Sequence, residues 1–534
     1  LEAQEQETQQ KVRSGGAFHV GSGIFLSRLA GFVRVSIFAH YFGSSDAADA
    51  FNAAVRIPNF MQNLFGEGVL SASFIPVYAG LRARGKTEEA DNVAGAVAGL
   101  LAMISSILVV VGIIATPYLI DAIAPGFEGE KRLLTIQLVR ILFPGTGLLV
   151  LSAWCLGVLN SHHRFFLSYT APVIWNAAII GFLIFFGRNR TQSDLAVMVA
   201  WGAVAGSALQ FGVQLPTVLR LLGRLRIQLG WHLESVRKVI HNFIPVVTAR
   251  GVVQISAYID NLLASLLPTG AVSALTYAQT LYLLPVGLFG MSVSAAELPA
   301  MSSAVGTPEE VSKYLRDKLN AGLKQIAFWI VPSAMAFLAL GNVIAAAVYQ
   351  SGRFTRQDSM YVWATLAGAA VGLLAATLGR LYSSGFYALH DTKTPLKIAV
   401  LRVMLTTIGG YLFALKAPGW IHIDSSWGVA GLTSSAGLAA WLEFTLLRKN
   451  LNRRIGPTGL RASYVLQLWT AAIVAAAVAW GIKLSVSTVT TRPFFAGILI
   501  LIPYGIVYFA LTTAFRIPEA LNVVRRLKTV SRQQ

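Results

Sequence analysis

Charge is scarce along these 534 residues: Asp, Glu, Lys and Arg together make up 13%, roughly half the share of a soluble chain. Acidic residues are scarcest, 24 against 43 Lys and Arg, for a formal net charge of +19. Cysteine is almost missing. Cys155 alone, inside an apolar run, excludes an intrachain disulfide and a cysteine-based metal site, and leaves the redox compartment open. Also absent are a Walker A loop, a strand-borne GxGxxG, HExxH, GxSxG and any Cys/His metal spacing. His162 and His163 are adjacent, so one helix face cannot present both to a metal. No connection is long enough for a soluble domain, which argues against an enzyme. Work done by such a chain draws on an ion gradient, the membrane potential or substrate flux. The first dozen residues are polar, without the apolar stretch of a secretory signal.

Apolar residues are abundant: 55% of the chain is hydrophobic and mean hydropathy is +0.61. Apolar runs of about 20 residues recur, each long enough for a hydrocarbon core of about 30 Å. Backbone groups must satisfy one another there, and the runs lack the period-2 alternation of barrel strands, so they read as helices. The sequence predicts an all-α polytopic membrane protein with fourteen spans: 16–42, 51–81, 93–116, 133–157, 167–187, 195–219, 239–267, 271–303, 322–349, 360–388, 396–415, 427–447, 463–484 and 494–515. Several exceed 25 residues and must tilt or extend past the bilayer.

Basic residues in the connections divide unequally. Alternate connections, counted from the N-terminal tail and with the span ends that adjoin them, hold 27 Lys and Arg, and the others hold 9. This asymmetry predicts both termini in the cytoplasm, which an even number of spans permits. The positive charge therefore reads as a topology signal rather than a nucleic-acid surface.

An internal repeat is visible. Trp154, Gly157 and His162 recur as Tyr382, Gly385 and His390 at an offset of 228, Leu64-Phe65-Gly66 as Leu288-Phe289-Gly290 at 224, and Glu88-Glu89 as Glu309-Glu310 at 221. Spans 1–6 and 7–12 thus read as duplicated six-helix lobes of parallel topology, related by a pseudo-twofold along the membrane normal. The expected organisation is a cytoplasmic N-terminal tail (1–15), an N-lobe (16–225), a C-lobe (226–450), two added helices (451–517) and a basic cytoplasmic tail (518–534).

Seven arginines fall inside predicted spans: Arg28, Arg34, Arg56, Arg140, Arg250, Arg380 and Arg402. Four acids join them: Glu67, Asp260, Glu297 and Glu443. A charge at the bilayer centre costs at least about 2.5–3.5 kcal/mol, so such residues face a bundle interior or a wet cavity. Arg402 and Arg56 lie near span ends and can snorkel, and Arg140 could go either way. Arg28 lies about 18 Å into span 1, too deep for that. Arg34 is about 120° further round the same helix, so the two could line a polar wall. Arg250 sits two residues from the repeat counterpart of Arg28. The excess of arginine implies an anionic guest, and a planar guanidinium suits phosphate. Glu67 reads as an arginine partner, and Asp260 as a cation or proton site or a buried hydrogen-bonded carboxylate. Pro58, Pro76, Pro144, Pro172, Pro245, Pro285, Pro299 and Pro332 lie in or at the edges of helices and predict kinks.

Two stretches carry a specific resemblance. Span 1 reads Ser27-Arg28-Leu29-Ala30-Gly31-Phe32-Val33-Arg34. Span 2 reads Arg56-Ile57-Pro58-Asn59-Phe60, Leu64-Phe65-Gly66-Glu67-Gly68, Ser71 and Phe74-Ile75-Pro76-Val77-Tyr78. With Leu159-Asn160-Ser161-His162 and Ala388-Leu389-His390-Asp391-Thr392-Lys393-Thr394-Pro395, the chain resembles the MurJ (MviN) family of lipid II flippases. That family is part of the multidrug/oligosaccharidyl-lipid/polysaccharide exporter superfamily.

The resemblance implies two six-helix lobes around a cationic cavity, with spans 13 and 14 forming a groove for the lipid tail. It also implies transport of undecaprenyl-pyrophosphate-linked disaccharide-pentapeptide (lipid II) across the bacterial inner membrane. In that picture Arg28, Arg34 and Glu67 match family cavity residues; with Arg56 and Arg250 from the charge pattern they make the expected substrate-binding set, and Asp260 remains the candidate cation or proton site. Gly31, Pro58, Asn59, Gly66, Gly68, Asn160, Asp391 and Thr394 are motif residues with structural or gating roles. No cofactor or metal is expected beyond a coupling cation. Expected partners are lipid II, membrane lipids and cell-wall synthesis or division machinery, and not nucleic acid. The sequence departs from the family pattern at Val35, Gln62, Gln279 and Thr280, and Arg250 is a candidate to compensate for the span 8 change. The alternatives are a flippase for another undecaprenyl-pyrophosphate-linked glycan, a cation-coupled drug exporter, a membrane-embedded glycosyltransferase and an envelope-assembly scaffold.

Overall fold

A computed structural model describes the backbone of residues 2–223, 226–303, 305–486 and 492–530, and side chains within 22–66, 68–223, 226–247, 258–303, 305–485 and 492–525. A helix occupies every one of the fourteen predicted spans. Eleven helices among the described residues are long and apolar enough to cross a membrane, and a pair bent by 43°, Arg356–Ala370 with Leu373–Ala388, makes a twelfth. Of the other two, span 12 carries Glu443, Arg448 and Lys449, and span 7 runs through residues whose side chains lie outside those described.

The chain forms two compact units, Leu1–Ser265 and Leu266–Gln534. The first contains span 1 (Glu2–Phe42), span 2 (Asp46–Phe65, Glu67–Ser73 and Ile75–Ala83), span 3 (Thr87–Ile123), span 4 (Gly129–Ser161), span 5 (Phe165–Phe186), span 6 (Gln192–Leu221) and span 7 (Glu234–Ser265). Span 4 packs on spans 2, 3 and 6, span 5 on spans 1 and 6, and span 7 on spans 2 and 3. Its core is a small-residue seam, Ala90, Val93, Ala94 and Val97 against Val150, Trp154 and Val158, with Trp154 Nε1 donating to Ala94 O at 3.1 Å.

The second unit contains span 8 (Ala271–Pro285, a π-helical stretch Val286–Met291, and Ser292–Ser302), span 9 (Pro308–Tyr349) and the bent span 10. Span 11 follows (Lys393–Tyr411, π-helical Leu412–Lys416 and Ala417–Trp420), then span 12 (Gly428–Ile455), span 13 (Ala462–Val486), span 14 (Pro493–Ala514) and a last helix, Pro518–Val530. Spans 13 and 14 pack on each other and on span 9. The bend in span 10 lies where Gly372 meets Gly437 of span 12: a Cβ on Gly372 would sit 2.3 Å from Gly437 Cα.

The repeat anchors fall on equivalent local features. Glu88-Glu89 and Glu309-Glu310 occupy the first turns of spans 3 and 9, where acids complement the helix dipole. Gly66 breaks span 2 in an extended conformation, and Gly290 lies in the π-helical stretch of span 8. Spans 4 and 10 both end in a left-handed residue, His163 (φ 58°) and His390 (φ 57°). The structural match is thus His163 with His390, one residue from the His162 pairing read in the sequence, because the left-handed turn, rather than the residue type, marks the helix end.

Two compensations hold the irregular places together. Pro332 has no N–H for the carbonyl of Phe328, four residues earlier. The Tyr508 hydroxyl of span 14 donates to Phe328 O at 2.7 Å, and Tyr504 donates to Pro332 O at 2.7 Å. After span 10, Asp391 accepts from the N–H groups of Lys393 and Thr394, both at 3.0 Å, and from Thr394 Oγ1 at 2.6 Å. Arg454 adds an ion pair at 2.6 Å. The Thr394 hydrogen bonds, then Arg454, hold the Asp391 carboxyl down at about 2.

Replacing Tyr508 with Phe leaves a buried carbonyl unsatisfied. A loss of roughly 1–3 kcal/mol is expected, read as earlier unfolding in detergent, while Tyr118→Phe, at an exposed site, should leave the transition unmoved. Asp391 titrates lower when folded than its usual unfolded value of about 3.9. Its stabilisation is therefore fully present above about pH 5 and lost as pH falls through 4 toward 2. The melting-temperature gap between wild type and Asp391→Ala should be constant above about pH 5 and close on acidification.

Candidate functional site

The structure gathers several of the candidate residues in the first unit. Arg34 is held from span 5: its Nε donates to Asn176 Oδ1 at 2.9 Å, and its Cζ lies 5.2 Å from the Trp175 ring centroid. Both partners are themselves fixed. Asn176 Nδ2 donates to Pro172 O at 2.9 Å, and Trp175 Nε1 to Ala203 O at 3.1 Å. Gly31, one turn before Arg34, faces the same asparagine, and a Cβ there would lie 3.9 Å from Asn176 Oδ1. Arg28, two turns from Arg34, is exposed and no polar partner for it is found among the described residues. Span 1 therefore carries one anchored and one unanchored guanidinium.

Arg56 lies in span 2 beside span 7. The Tyr258 hydroxyl donates to its carbonyl at 2.7 Å, and Asp260 and Tyr258 both lie within electrostatic range of its guanidinium. The acid picked out as a cation or proton site thus faces an arginine picked out for substrate. Next to it Asn261 is fully buried, with neither amide atom bonded among the described residues. Glu67 and Arg250 are helical, but their side chains lie outside the described residues.

Gly66 shows why span 2 breaks where it does. Its backbone turns extended (φ −84°, ψ −162°), and a Cβ would lie 2.2 Å from Gln62 O. The break opens onto a cavity of about 430 Å³ lined by Gln62, Asn63, Gly66, Gly68, Ser71, Ser152, Pro172 and Gln210. Non-helical backbone inside a membrane protein is tolerated where it faces such a cavity. Pro58 is buried within span 2 and Asn59 is exposed. At the end of span 4 the Asn160 Oδ1 is buried without a partner among the described residues. His162 Nε2 lies 2.9 Å from the Tyr78 hydroxyl, and Arg82 reaches the same ring. Burial, then Arg82, pushes the His162 imidazole down to about 4, so it is neutral at physiological pH.

In the second unit Arg402 pairs with Glu443 at 2.9 Å, joining spans 11 and 12 rather than snorkelling alone. Tyr282 lies within electrostatic range of Arg402 and Arg380. An apolar cavity of about 360 Å³ lies between spans 8, 9 and 14, lined by residues including Leu288, Phe289, Trp329, Phe337, Tyr504 and Tyr508. Phe289 and Trp329 stack in it at 4.8 Å.

The sequence motifs contain Gln62 and Ser71 of the cavity lining but not Asn63, Ser152 or Gln210, nor the partners Asn176, Trp175 and Tyr258. Gln210 and Gln214, spaced by one turn in an otherwise apolar span, were the available signal for the cavity lining.

Comparison with known proteins agrees with this arrangement. The family model described as lipid II flippase MurJ matches residues 38–505. A lipid II flippase MurJ of Burkholderia cenocepacia is 32% identical over 462 residues, 84% of this chain and 86% of that protein. A probable lipid II flippase MurJ of Rhizobium tropici is 30% identical over 512 residues, 92% of each. Among solved structures, a lipid II flippase MurJ in an inward closed conformation matches with a TM-score of 0.75 at 24% identity, over 93% of this chain and 98% of that one. An inward-facing multidrug resistance MATE family transporter of the MOP superfamily matches with a TM-score of 0.64 at 17% identity, over 79% and 95%. The structural matches speak to the fold, and the family model and relatives to descent: this chain belongs to the MurJ family of lipid II flippases.

Proposed function

We propose that the chain carries lipid II from the inner to the outer leaflet of the bacterial inner membrane by alternating access, and catalyses no reaction itself. The observation that carries this reading, beside family membership, is the pair of guanidiniums on span 1. Asn176 takes the Nε face of Arg34, leaving the two Nη nitrogens for a bidentate contact, and Arg28 has no polar partner among the described residues. That is the donor set a pyrophosphate needs. The apolar cavity between spans 8, 9 and 14 suits the polyprenyl chain, which would remain in lipid while the headgroup crosses. The 27-to-9 division of basic residues supports cytoplasmic termini.

A membrane potential negative inside favours outward movement of the anionic headgroup by about 2.3 kcal/mol per charge per 100 mV. Asp260 is the site offered to a coupling cation or proton. Its neighbour Arg56 would compete with a bound cation, so cation entry and release of Arg56 are linked. The substrate must interact differently with the two access states, or it could not shift their balance. Contacts with cell-wall synthesis or division machinery belong to the same reading.

Complementation in cells depleted of their own lipid II flippase tests this at matched membrane levels. Wild type should restore growth, Arg28→Ala and Arg34→Ala should fail, and Asn176→Ala, which releases Arg34 without removing it, should rescue partially. Full rescue by both arginine variants would defeat the phosphate-binding reading. Failure of a well-inserted wild type would redirect it to another undecaprenyl-pyrophosphate-linked glycan. Arg250→Ala should also abolish rescue if this residue makes up for the neutral Gln279 and Thr280, and retained growth would remove it from the site.

A further inference from the structure

The cavity at the break in span 2 differs in chemistry from the arginine site. Among the described residues its polar side chains are Gln62, Asn63, Ser71, Ser152 and Gln210, amides and hydroxyls without a formal charge. Two of them are set by a buried chain of hydrogen bonds: Gln210 Nε2 donates to Ser152 Oγ at 3.0 Å, and Ser152 Oγ donates to Gln214 Oε1 at 2.8 Å. Ser152 and Gln214 are 2% and 1% exposed, and Gln214 Nε2 has no partner among the described residues. The chain fixes the Gln210 amide while leaving it further donor and acceptor capacity. A preorganised neutral set of this kind is costly in an apolar span unless something uses it.

The cavity adjoins the anchored arginine. Asn176, which holds Arg34, donates to the carbonyl of Pro172, and Pro172 is part of the cavity wall. The wall residues Ser152, Pro172 and Gln210 lie two to three turns inside spans 4, 5 and 6 from their ends at Ser161, Phe165 and Leu221, the ends that the basic connections assign to the cytoplasm.

We propose that this cavity is a second subsite, which hydrogen-bonds the neutral amide- and hydroxyl-bearing part of the headgroup while the span 1 arginines hold its pyrophosphate. This rests on the lipid II reading and adds to it the recognition of what the pyrophosphate carries. A volume of about 430 Å³ lies in the range of small-molecule sites and has room for one acetylated sugar or a short peptide segment, not for the whole headgroup. Amides and hydroxyls are common to both, so the chemistry is stated and the source is left to the probes. A site that bonds such groups discriminates against a guest lacking them, because its own polar atoms are then left unpaired.

The test is equilibrium binding to the full chain in nanodiscs, with three probes: undecaprenyl pyrophosphate, its disaccharide derivative without peptide, and lipid II. Wild type should prefer lipid II over undecaprenyl pyrophosphate. Gln210→Leu and Asn63→Leu should each cut that preference roughly 3- to 10-fold, with affinity for undecaprenyl pyrophosphate unchanged, which also reports that the variant is folded. Asn63 is exposed, so its variant decides the matter if Gln210→Leu does not fold. Equal losses for the disaccharide lipid assign the subsite to sugar, and losses confined to lipid II assign it to peptide. Undiminished preference in both variants, or a wild type that binds undecaprenyl pyrophosphate as tightly as lipid II, overturns the subsite. A wild type that binds none of the three overturns the flippase reading itself.

Discussion

Backbone hydrogen bonding in an apolar surround governs the rest of this structure. A carbonyl or N–H freed in hydrocarbon has no water to turn to, so each interruption of a helix needs a specific remedy. At Pro332 the remedy is a tyrosine from span 14, reaching the very carbonyl that proline leaves without its usual donor. This makes span 14 part of the support of span 9, not merely an added helix on its surface. At span 8 the helix widens to a π-turn instead of opening. At Gly66 the helix does open, and there a polar cavity receives the break.

The charges follow a related rule. Those with a structural task are closed off in pairs: Lys131 lies 2.8 Å from the buried Asp49, Arg402 meets Glu443, and Arg454 meets Asp391. Arg34 is held differently, by a neutral amide and an indole face. Those contacts orient the guanidinium without neutralising it, so its charge stays available to an anion. For Arg28 no such restraint is found among the described residues. The arginines thus divide into carboxylate-paired ones and one held by an amide, a distinction that depth in the span does not show.

Much of the architecture was legible in advance. All fourteen helices lie at the places marked by apolar runs, and the repeat anchors fall on a helix start, a break or widening, and a left-handed end. Nothing in the sequence near Arg402 points to its pairing, because the partner Glu443 lies 41 positions away, beyond the reach of any local pattern. Asn176 escaped notice for the same reason, being 142 positions from Arg34. The one-residue slip at His162 arose because sequence matching aligned histidines, whereas the fold aligned the residues that take up positive φ.

The sequence by itself determined the helical membrane fold, the places and order of its apolar helices and the excess of arginine over acid within them. Each depends on hydrophobicity, local periodicity or net charge, which are properties of short stretches of chain. Only the tertiary structure decided which arginines pair with carboxylates and which with an amide, where a polar cavity forms, and which tyrosine repairs which proline. Those outcomes depend on side chains brought together from distant spans, and packing in three dimensions, rather than spacing along the chain, selects the partners.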